Sequence, residues 1–149
     1  MKIAIGSDEK TSLTDFVIKE IKKKDYEIKL FGPLANKKEE YVVVSRKVAE
    51  SVANKECEEG VLFCWTGTGA SIVANKIPGI RAALCFDAES AKGARRWNHA
   101  NVLVMSLRLT SETLAKEMLD AWFSTPYGKE DFDIRSVKKI NEIERLYNK

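Results

Sequence analysis

The sequence predicts an α/β fold in which helices cover both faces of a five-stranded parallel sheet. Two observations lead to this prediction. Strand-like and helix-like segments alternate along the 149 residues, and the strand segments are mainly short continuous apolar runs. Such runs are typical of sheets that are buried on both sides. The length suits one ordinary domain, and we expect residues 1–149 to form a single domain without a linker or repeat.

Strands are predicted where short apolar runs end at turn residues. The second run alternates only weakly and stops at Gly32-Pro33. The five predicted strands are residues 2–6, 26–31, 60–64, 81–86 and 101–105. Ligand sites in parallel sheets lie beyond the carboxyl ends of the strands, so polar residues at that edge become candidates for function.

Helices are predicted where apolar residues recur every three or four positions. The segments are 11–24, 39–54, a short stretch from the glycine turn to Lys76, 88–97, Thr110 or Ser111 to Phe123, and about 134–147. Thr11 or Ser12 could cap the first helix. The apolar stripes comprise Leu13, Phe16, Val17 and Ile21; Val43, Val44, Val48 and Val52; Leu114, Met118 and Trp122; and Ile134, Val137, Ile140, Ile143 and Tyr147.

Charge and composition exclude several classes of protein. The net charge is only +3, and the lysine clusters at 19–24 and 138–139 are mixed with Glu or apolar residues, which favours solvated helix faces over a nucleic-acid groove. No apolar run approaches the roughly 20 residues of a membrane span. Cysteines 57, 64 and 85 fit neither a metal-ligand spacing nor a disulfide framework. With residues 1–6 entering a strand pattern directly, we expect a cytoplasmic protein.

The most informative segment surrounds Cys64. An apolar run ends at this cysteine, and Thr66, Gly67, Thr68 and Gly69 form a small-residue turn before a helix. A thiol facing the amide N–H groups of a helix start is in a position that favours thiolate, and the same amides can hold an anionic oxygen. A dinucleotide fingerprint is excluded because Ile72 stands where its third glycine would be. Cys57 and Cys85 are interpreted as core residues.

Three further residues have both a structural and a functional interpretation. Asp8 follows Gly6-Ser7 at the end of the first strand, where it either caps the next helix or handles a proton or a polar substrate group. His99 is the only histidine and lies in a polar loop, so it is either structural or in contact with substrate. Arg108, just past the fifth strand, either binds an anion or solvates the surface.

At this point the chain resembles the ribose-5-phosphate isomerase B family, which also includes the two galactose-6-phosphate isomerase subunits. The resemblance covers nearly the whole chain and depends on three segments: M-K-I-A-I-G-S-D, E-C-E-E-G-V-L-F-C-W-T-G-T-G-A-S-I-V-A-N-K-I-P-G-I-R-A-A-L-C, and A-R-R-W-N-H-A-N-V-L. It implies a Rossmann-like three-layer α/β/α sandwich with an extra C-terminal helix, assembled as a homodimer or homotetramer. It also implies an aldose–ketose isomerase that works through a cis-enediolate without a metal or cofactor.

The resemblance also implies roles for individual residues. Cys64 is the base that moves a proton between C1 and C2, while Thr66 and the amides of Gly67, Thr68 and Gly69 hold the enediolate oxygen. Asp8 is the third catalytic residue. Arg108 binds the phosphate group of a substrate that lies in the pocket of the neighbouring subunit. The other expected substrate contacts are Ser7, Tyr41, Asn98, His99 and Arg135.

Several positions depart from the family pattern. The histidine that usually follows Gly-Ser-Asp is Glu9, and the histidine that helps open the sugar ring is Trp97. The residue after the catalytic cysteine is usually Gly and is Trp65 here. Two phosphate-binding arginines fall at Phe132 and Ser136, which leaves Arg135, with Lys129 or Lys138 nearby, to offer positive charge.

These departures leave three functional hypotheses. The first is an isomerase of a sugar or sugar phosphate other than ribose 5-phosphate. The second is ribose-5-phosphate isomerase activity with altered auxiliary residues. The third is a non-catalytic partner subunit of a hetero-oligomeric isomerase. In each case we expect the final helix, about 134–147, to lie against a second subunit, because little sequence remains to cover its apolar stripe.

Overall fold

The computed structural model describes residues 1–148 and contains a single five-stranded sheet. All strand pairs are parallel, and the strand order is β2-β1-β3-β5-β4. The strands are β1 (Lys2–Ser7), β2 (Glu27–Phe31), β3 (Glu59–Cys64), β4 (Ala82–Leu84) and β5 (Val102–Ser106). The prediction of a five-stranded parallel sheet is therefore confirmed.

Six α-helices complete the three layers. They are α1 (Ser12–Lys22), α2 (Tyr41–Ala53), α3 (Thr68–Ala74), α4 (Ala88–Asn98), α5 (Glu112–Ser124) and α6 (Asp131–Tyr147). Helices α1, α4 and α5 pack on one face of the sheet through a core that includes Phe63 and Trp122. Helices α2 and α3 pack on the other face, where Cys64 is buried. Among the described residues, no helix has both the length and the apolar character needed to cross a membrane.

Side chains at the helix starts fix where the helices begin. Thr11 caps α1 in a capping box with Thr14, and the Ser111 hydroxyl accepts a hydrogen bond from the Leu114 N–H at 3.1 Å. Asp87 caps α4 by accepting from the Ser90 N–H at 2.7 Å. Of the alternative caps that the sequence offered, Thr11 and Ser111 are the ones used.

Several predicted boundaries were wrong by a few residues. Helix α1 ends at Lys22, because the chain reverses through Asp25 at φ 61°. Strand β4 is shorter than predicted, since it pairs with β5 alone and only over Ala82–Leu84. Helix α6 begins at Asp131, three residues before the predicted start, and its first turn holds the acidic residues Asp131 and Asp133, which favour a helix N-terminus. A short 3₁₀ helix, Gly32–Ala35, was not predicted.

The open edge of β4 is closed by one side chain. The amide of Asn75 donates from Nδ2 to the Ala82 carbonyl at 3.0 Å, and its Oδ1 accepts from the Ala82 N–H at 2.8 Å. Both groups of Ala82 face away from β5, where a sixth strand would otherwise pair with them. Asn75 lies one residue beyond the end of α3, so the helix end and the strand edge are joined directly.

A buried polar cluster ties the start of β3 to α4 and α5. Glu59 accepts a 2.6 Å hydrogen bond from the Trp122 indole N–H and forms a 3.2 Å ion pair with Arg95. The Arg95 guanidinium lies 5.0 Å from the Trp122 ring and 4.4 Å from the Tyr127 ring. Burial raises the pKa of Glu59, against the opposing effect of the Arg95 charge.

Helix α6 leaves much of its apolar surface uncovered. Val137 is buried, but Phe132, Ile143 and Leu146 are 65%, 58% and 64% exposed. Val43 in α2, which was predicted to be buried beside Val44, is also exposed at 41%. The reason is that α2 directs Val44 and Val48 toward the sheet and turns Val43 toward solvent.

Candidate active site

The site lies where the strand connections change direction. From β1 the chain passes to β2 on one side, and from β3 it passes to β4 on the other side, so a crevice opens between the carboxyl ends of β1 and β3. Ser7 is paired with Phe63 in the sheet, and Cys64 is paired with Ser106. Asp8, directly after β1, and Cys64, at the end of β3, therefore reach the same crevice.

Cys64 ends β3 with its side chain largely buried, at 5% exposure. Its Sγ accepts a hydrogen bond from the Gly67 N–H at 3.2 Å. The turn that makes this contact needs glycine, because Gly67 has φ 82° and a Cβ there would lie 2.5 Å from Leu84 Cδ1. An N–H group aimed at sulfur is the contact that a thiolate uses, as the sequence predicted for this turn.

Asp8 is a carboxylate placed in the pocket without a hydrogen-bond partner for one oxygen. Oδ1 is buried and has no partner among the described residues. Burial raises the pKa of Asp8, and the neighbouring Glu9 charge raises it further, while a backbone hydrogen bond opposes both. Because Thr11 caps α1, the alternative role of Asp8 as a helix cap is excluded.

Ser7 shapes the loop that carries Asp8. Its hydroxyl donates to the Glu9 carbonyl at 2.6 Å and accepts from the Glu9 N–H at 3.1 Å. The side chain is fully buried. Its hydroxyl is thus engaged within the loop, and Ser7 supports Asp8 rather than lining the pocket.

The pocket encloses about 260 Å³. It is lined by Asp8, Tyr41, Cys64, Trp65, Thr66, Thr68 and Gly69. The hydroxyls of Thr66 and Thr68 are hydrogen-bonded to each other at 2.7 Å. Thiol, carboxyl, hydroxyl and phenol groups therefore converge on one small cavity, and no residue that lines it carries a positive charge.

Trp65 is a pocket residue that the list of predicted substrate contacts did not include. Its carbonyl oxygen accepts from the Ser106 hydroxyl at 3.0 Å and from the Arg108 N–H at 2.9 Å. These bonds fix the backbone next to Cys64 against the end of β5. Its place directly after Cys64 in the sequence indicates that it is near the site. The residue type alone does not show whether the side chain lines the pocket or points away from it.

Besides Ser7 and Gly67, whose N–H is bonded to Cys64, four further predicted contacts lie outside this pocket. Asn98 lines a separate cleft beside α6, and Arg135 is exposed on α6. Arg108 is exposed next to Trp65. His99 ends α4 at φ 48°, and its ring stacks on Tyr127 at 4.5 Å with Nε2 2.9 Å from the Gly128 carbonyl oxygen.

Phe132 and Ser136, where the family resemblance implies two phosphate-binding arginines, carry no charge. Phe132 is exposed, and the Ser136 hydroxyl donates to the Phe132 carbonyl at 2.7 Å within α6. Trp97 stands where the resemblance implies a histidine that helps open the sugar ring. Its indole is 53% exposed and lies against Gly93. The departures noted in the sequence therefore change the chemistry of these positions.

Comparisons with known proteins agree with this architecture. The sequence model of a family described as Ribose/Galactose Isomerase matches residues 3–143. A ribose-5-P isomerase B from Listeria innocua is 38% identical over 150 residues, which span 100% of this chain and 99% of that protein. A D-erythrulose-4-phosphate isomerase from Pectobacterium atrosepticum is 36% identical over 135 residues, which span 85% of each chain.

The fold comparison gives the same answer. The solved structure of a ribose-5-phosphate isomerase B from Clostridium thermocellum has a TM-score of 0.91 and is 38% identical. The match covers 99% of this chain and 100% of that one. Sequence and fold therefore agree over nearly the full length of the protein. The chain belongs to the ribose/galactose isomerase family, and its enzyme class is that of the aldose–ketose isomerases.

Proposed function

We propose that this protein interconverts an aldose and a ketose by moving one proton between C1 and C2, with the Cys64 thiolate as the base. The observation that carries the proposal is the Cys64 Sγ, buried at the pocket floor and hydrogen-bonded to the Gly67 N–H. No other thiol lines this pocket. A core cysteine without a chemical role would not need a glycine turn that directs a backbone N–H to its sulfur.

The proposed reaction conserves the proton. The Cys64 thiolate takes the proton from C2 of the open-chain aldose, and the electron pair of that C–H bond forms the C1–C2 double bond of a cis-enediolate. In the same step the electron pair of the C1 carbonyl moves onto O1. The Cys64 thiol then returns the proton to C1, the hydroxyl proton of O2 passes to O1, and the ketose carbonyl forms at C2. No oxidant or reductant is consumed, because the two carbons exchange oxidation states.

The remaining pocket groups suit the charge that develops on oxygen. The Thr66 and Thr68 hydroxyls line the pocket beside Cys64, and the first amides of α3 lack partners within their helix. Donors that are fixed before the reaction stabilise an enediolate oxygen without reorganisation. Asp8, whose pKa is raised by burial, is suited to pass a proton between substrate oxygens.

We favour a sugar or sugar phosphate other than ribose 5-phosphate as the substrate. Two observations support this choice. Phe132 and Ser136 replace two cationic side chains, and a phosphate group that loses two charge-assisted partners would lose roughly 1.5–3 kcal/mol for each. Trp97 stands where the family usually has the histidine that helps open the sugar ring.

Ribose 5-phosphate is the second candidate substrate. The relative from Listeria innocua, which is named for ribose 5-phosphate, is 38% identical over almost its whole length. Arg108 and Arg135 would then have to supply the positive charge for the phosphate. Both are exposed, and Arg108 is joined to the pocket through its bond to Trp65.

We also propose that the working protein is a homodimer or a homotetramer. Asn98, Arg108 and Arg135 lie outside the pocket of their own chain, and α6 leaves a broad apolar face uncovered. A second copy would cover that face and could bring these side chains to the neighbouring pocket. Apolar surface of this extent is characteristic of a protein–protein contact.

Deuterium exchange tests the chemistry without knowledge of the product. The protein is incubated in heavy water with pentoses, hexoses, uronates and their phosphates, and NMR follows deuterium at C1 and C2. We expect exchange that Cys64→Ala abolishes and that Cys57→Ala, a buried thiol remote from the pocket, leaves intact. Exchange that survives Cys64→Ala would refute the cysteine base. Exchange with no sugar would favour the third hypothesis, a subunit that needs a different partner.

A further inference from the structure

Trp65 combines two properties that rarely occur together. It lines the small pocket that holds Cys64, and it is 56% exposed. Its backbone is held by Ser106 and Arg108, so the indole is attached to a fixed point next to Cys64. Burying an indole is favourable, and a partly exposed one in a pocket leaves that favourable contact open to a ligand.

The pocket around Cys64 is small. Its volume of about 260 Å³ is below the roughly 300–1,000 Å³ that is typical of ligand pockets. Where α2 and α3 begin, the Tyr41 ring lies directly against Gly69 and further limits the space. A sugar whose C1 and C2 reach Cys64 must therefore place its remaining carbons against the other lining side chains, of which Trp65 is the largest.

Chain length is a property in which the relatives differ. The protein from Listeria innocua is named for a five-carbon sugar phosphate, and that from Pectobacterium atrosepticum is named for a four-carbon one. The enolisation chemistry at C1 and C2 is the same for any aldose. Discrimination between substrates must therefore come from groups that contact the distal carbons.

We infer that Trp65 is the specificity-determining residue of this site: its indole packs against the carbon chain of the substrate and limits it to four or five carbons. The inference rests on the proposed isomerase function and adds the substrate class to it. An apolar pocket discriminates against one additional carbon by about 10- to 200-fold. The residue acts on substrate length and takes no part in the proton transfer.

The test compares two sugar phosphates that differ by one carbon. D-Ribose 5-phosphate and D-allose 6-phosphate have the same configuration at C2 to C4, and the free sugars provide a second pair without phosphate. We measure kcat/KM for proton exchange in the wild type, Trp65→Gly, Trp65→Phe and Ile72→Ala. Ile72 is 62% exposed on the neighbouring helix and lies outside the pocket, which makes it a matched control for the loss of an exposed apolar side chain.

We expect Trp65→Gly to raise the six-carbon to five-carbon ratio of kcat/KM at least about tenfold. Trp65→Phe and Ile72→Ala should leave the ratio within about twofold, since one keeps a wall and the other removes none. An unchanged ratio in Trp65→Gly would overturn the inference. So would a loss of exchange with both sugars in a folded variant, since the indole would then serve the chemistry.

The results distinguish a failure of the Trp65 inference from a failure of the proposed isomerase function. If the wild type exchanges a sugar but Trp65→Gly leaves the six-carbon to five-carbon ratio of kcat/KM unchanged, the isomerase proposal stands and the proposed role of Trp65 is wrong. If the wild type exchanges none of the sugars, both fall. Light scattering of Trp65→Gly excludes the remaining structural role, because a change in subunit number without a change in ratio would make Trp65 an interface residue.

Discussion

The ring of Tyr41 lies so close to the backbone of Gly69 that a Cβ added to Gly69 would come within 2.6 Å of Tyr41 Cε2. Tyr41 is the first residue of α2, and Gly69 is in the first turn of α3. The two helix starts therefore meet at the pocket, and the absence of a side chain at one position sets the place of the aromatic ring at the other. Tyr41 is consequently positioned against the start of α3 before any substrate binds.

The first prediction is that Gly69→Ala lowers kcat/KM by displacing Tyr41. The added methyl group must move the ring, because 2.6 Å is far shorter than a van der Waals contact. We expect a loss of about 10- to 100-fold, since small displacements of positioning groups have effects of this size. Steady-state kinetics of Gly69→Ala, Tyr41→Ala and the double variant form a double-mutant cycle. The effect of Gly69→Ala should nearly vanish in the Tyr41→Ala protein, and fully additive effects would contradict the explanation.

The second prediction is that Asp8→Asn stabilises the fold at neutral pH while it impairs activity. One carboxylate oxygen is buried without a partner among the described residues, at a cost of about 1 kcal/mol. Because the pKa of Asp8 is raised in the folded protein, the stability it contributes is complete below its unfolded pKa and is lost as pH rises through the folded value. The advantage of Asp8→Asn should therefore appear at pH 7 and shrink at pH 4.

Urea unfolding at both pH values measures this difference. Asp25→Asn, which changes an exposed carboxylate, serves as the control and should shift the free energy of unfolding equally at the two pH values. An Asp8→Asn protein that is less stable than the wild type at pH 7 would mean that the carboxylate has a stabilising partner. Such a trade of stability for function is common at active sites.

The third prediction concerns the buried cluster around Glu59. Trp122→Phe removes the N–H that donates to Glu59 and leaves a buried carboxylate oxygen without its donor. We expect the free energy of unfolding to fall by about 2–4 kcal/mol. Trp97→Phe, an equal change at an exposed indole, should cost less than about 0.5 kcal/mol in the same urea titration. Equal costs for the two variants would show that neither the burial of Trp122 nor its bond to Glu59 contributes to stability.

The fourth prediction tests the apolar face of α6. Ile143→Glu places a charge in the exposed stripe and should reduce the assembly to monomers at micromolar concentration, as measured by light scattering. Arg145→Glu introduces the same side chain on another face of the helix and should leave the assembly intact. A wild-type protein that is already monomeric at this concentration would refute the proposed oligomer.

The alternation of strands and helices predicted the sheet because parallel strands that are buried on both faces need continuous apolar runs. The prediction of Cys64 as a site residue followed from its position at the end of such a strand, before two glycines. The ends of elements were less predictable. Phe132 at the start of α6 is exposed and so does not belong to the buried stripe, and Asp25 reverses the chain in a left-handed conformation after α1. The spacing of apolar residues therefore marks neither boundary.

The pocket was only partly predictable for a similar reason. The family resemblance implied Asp8, Tyr41 and Thr66 as site residues in three separate parts of the chain, and the structure brings them together. What the Trp65 side chain does was not predictable, because exposure depends on the neighbouring elements and not on the residue type. The engagement of Ser7 with Glu9 likewise depends on a local turn that adjacent letters do not reveal.

The bond pair between Asn75 and Ala82 has a consequence for the protein at high concentration. An unprotected outer strand offers its backbone to any other extended chain, which is how many proteins begin to form fibrils. With both Ala82 groups already engaged, an incoming strand would have to displace the amide first. One side chain at the end of a helix thus opposes aggregation through the edge strand of the sheet.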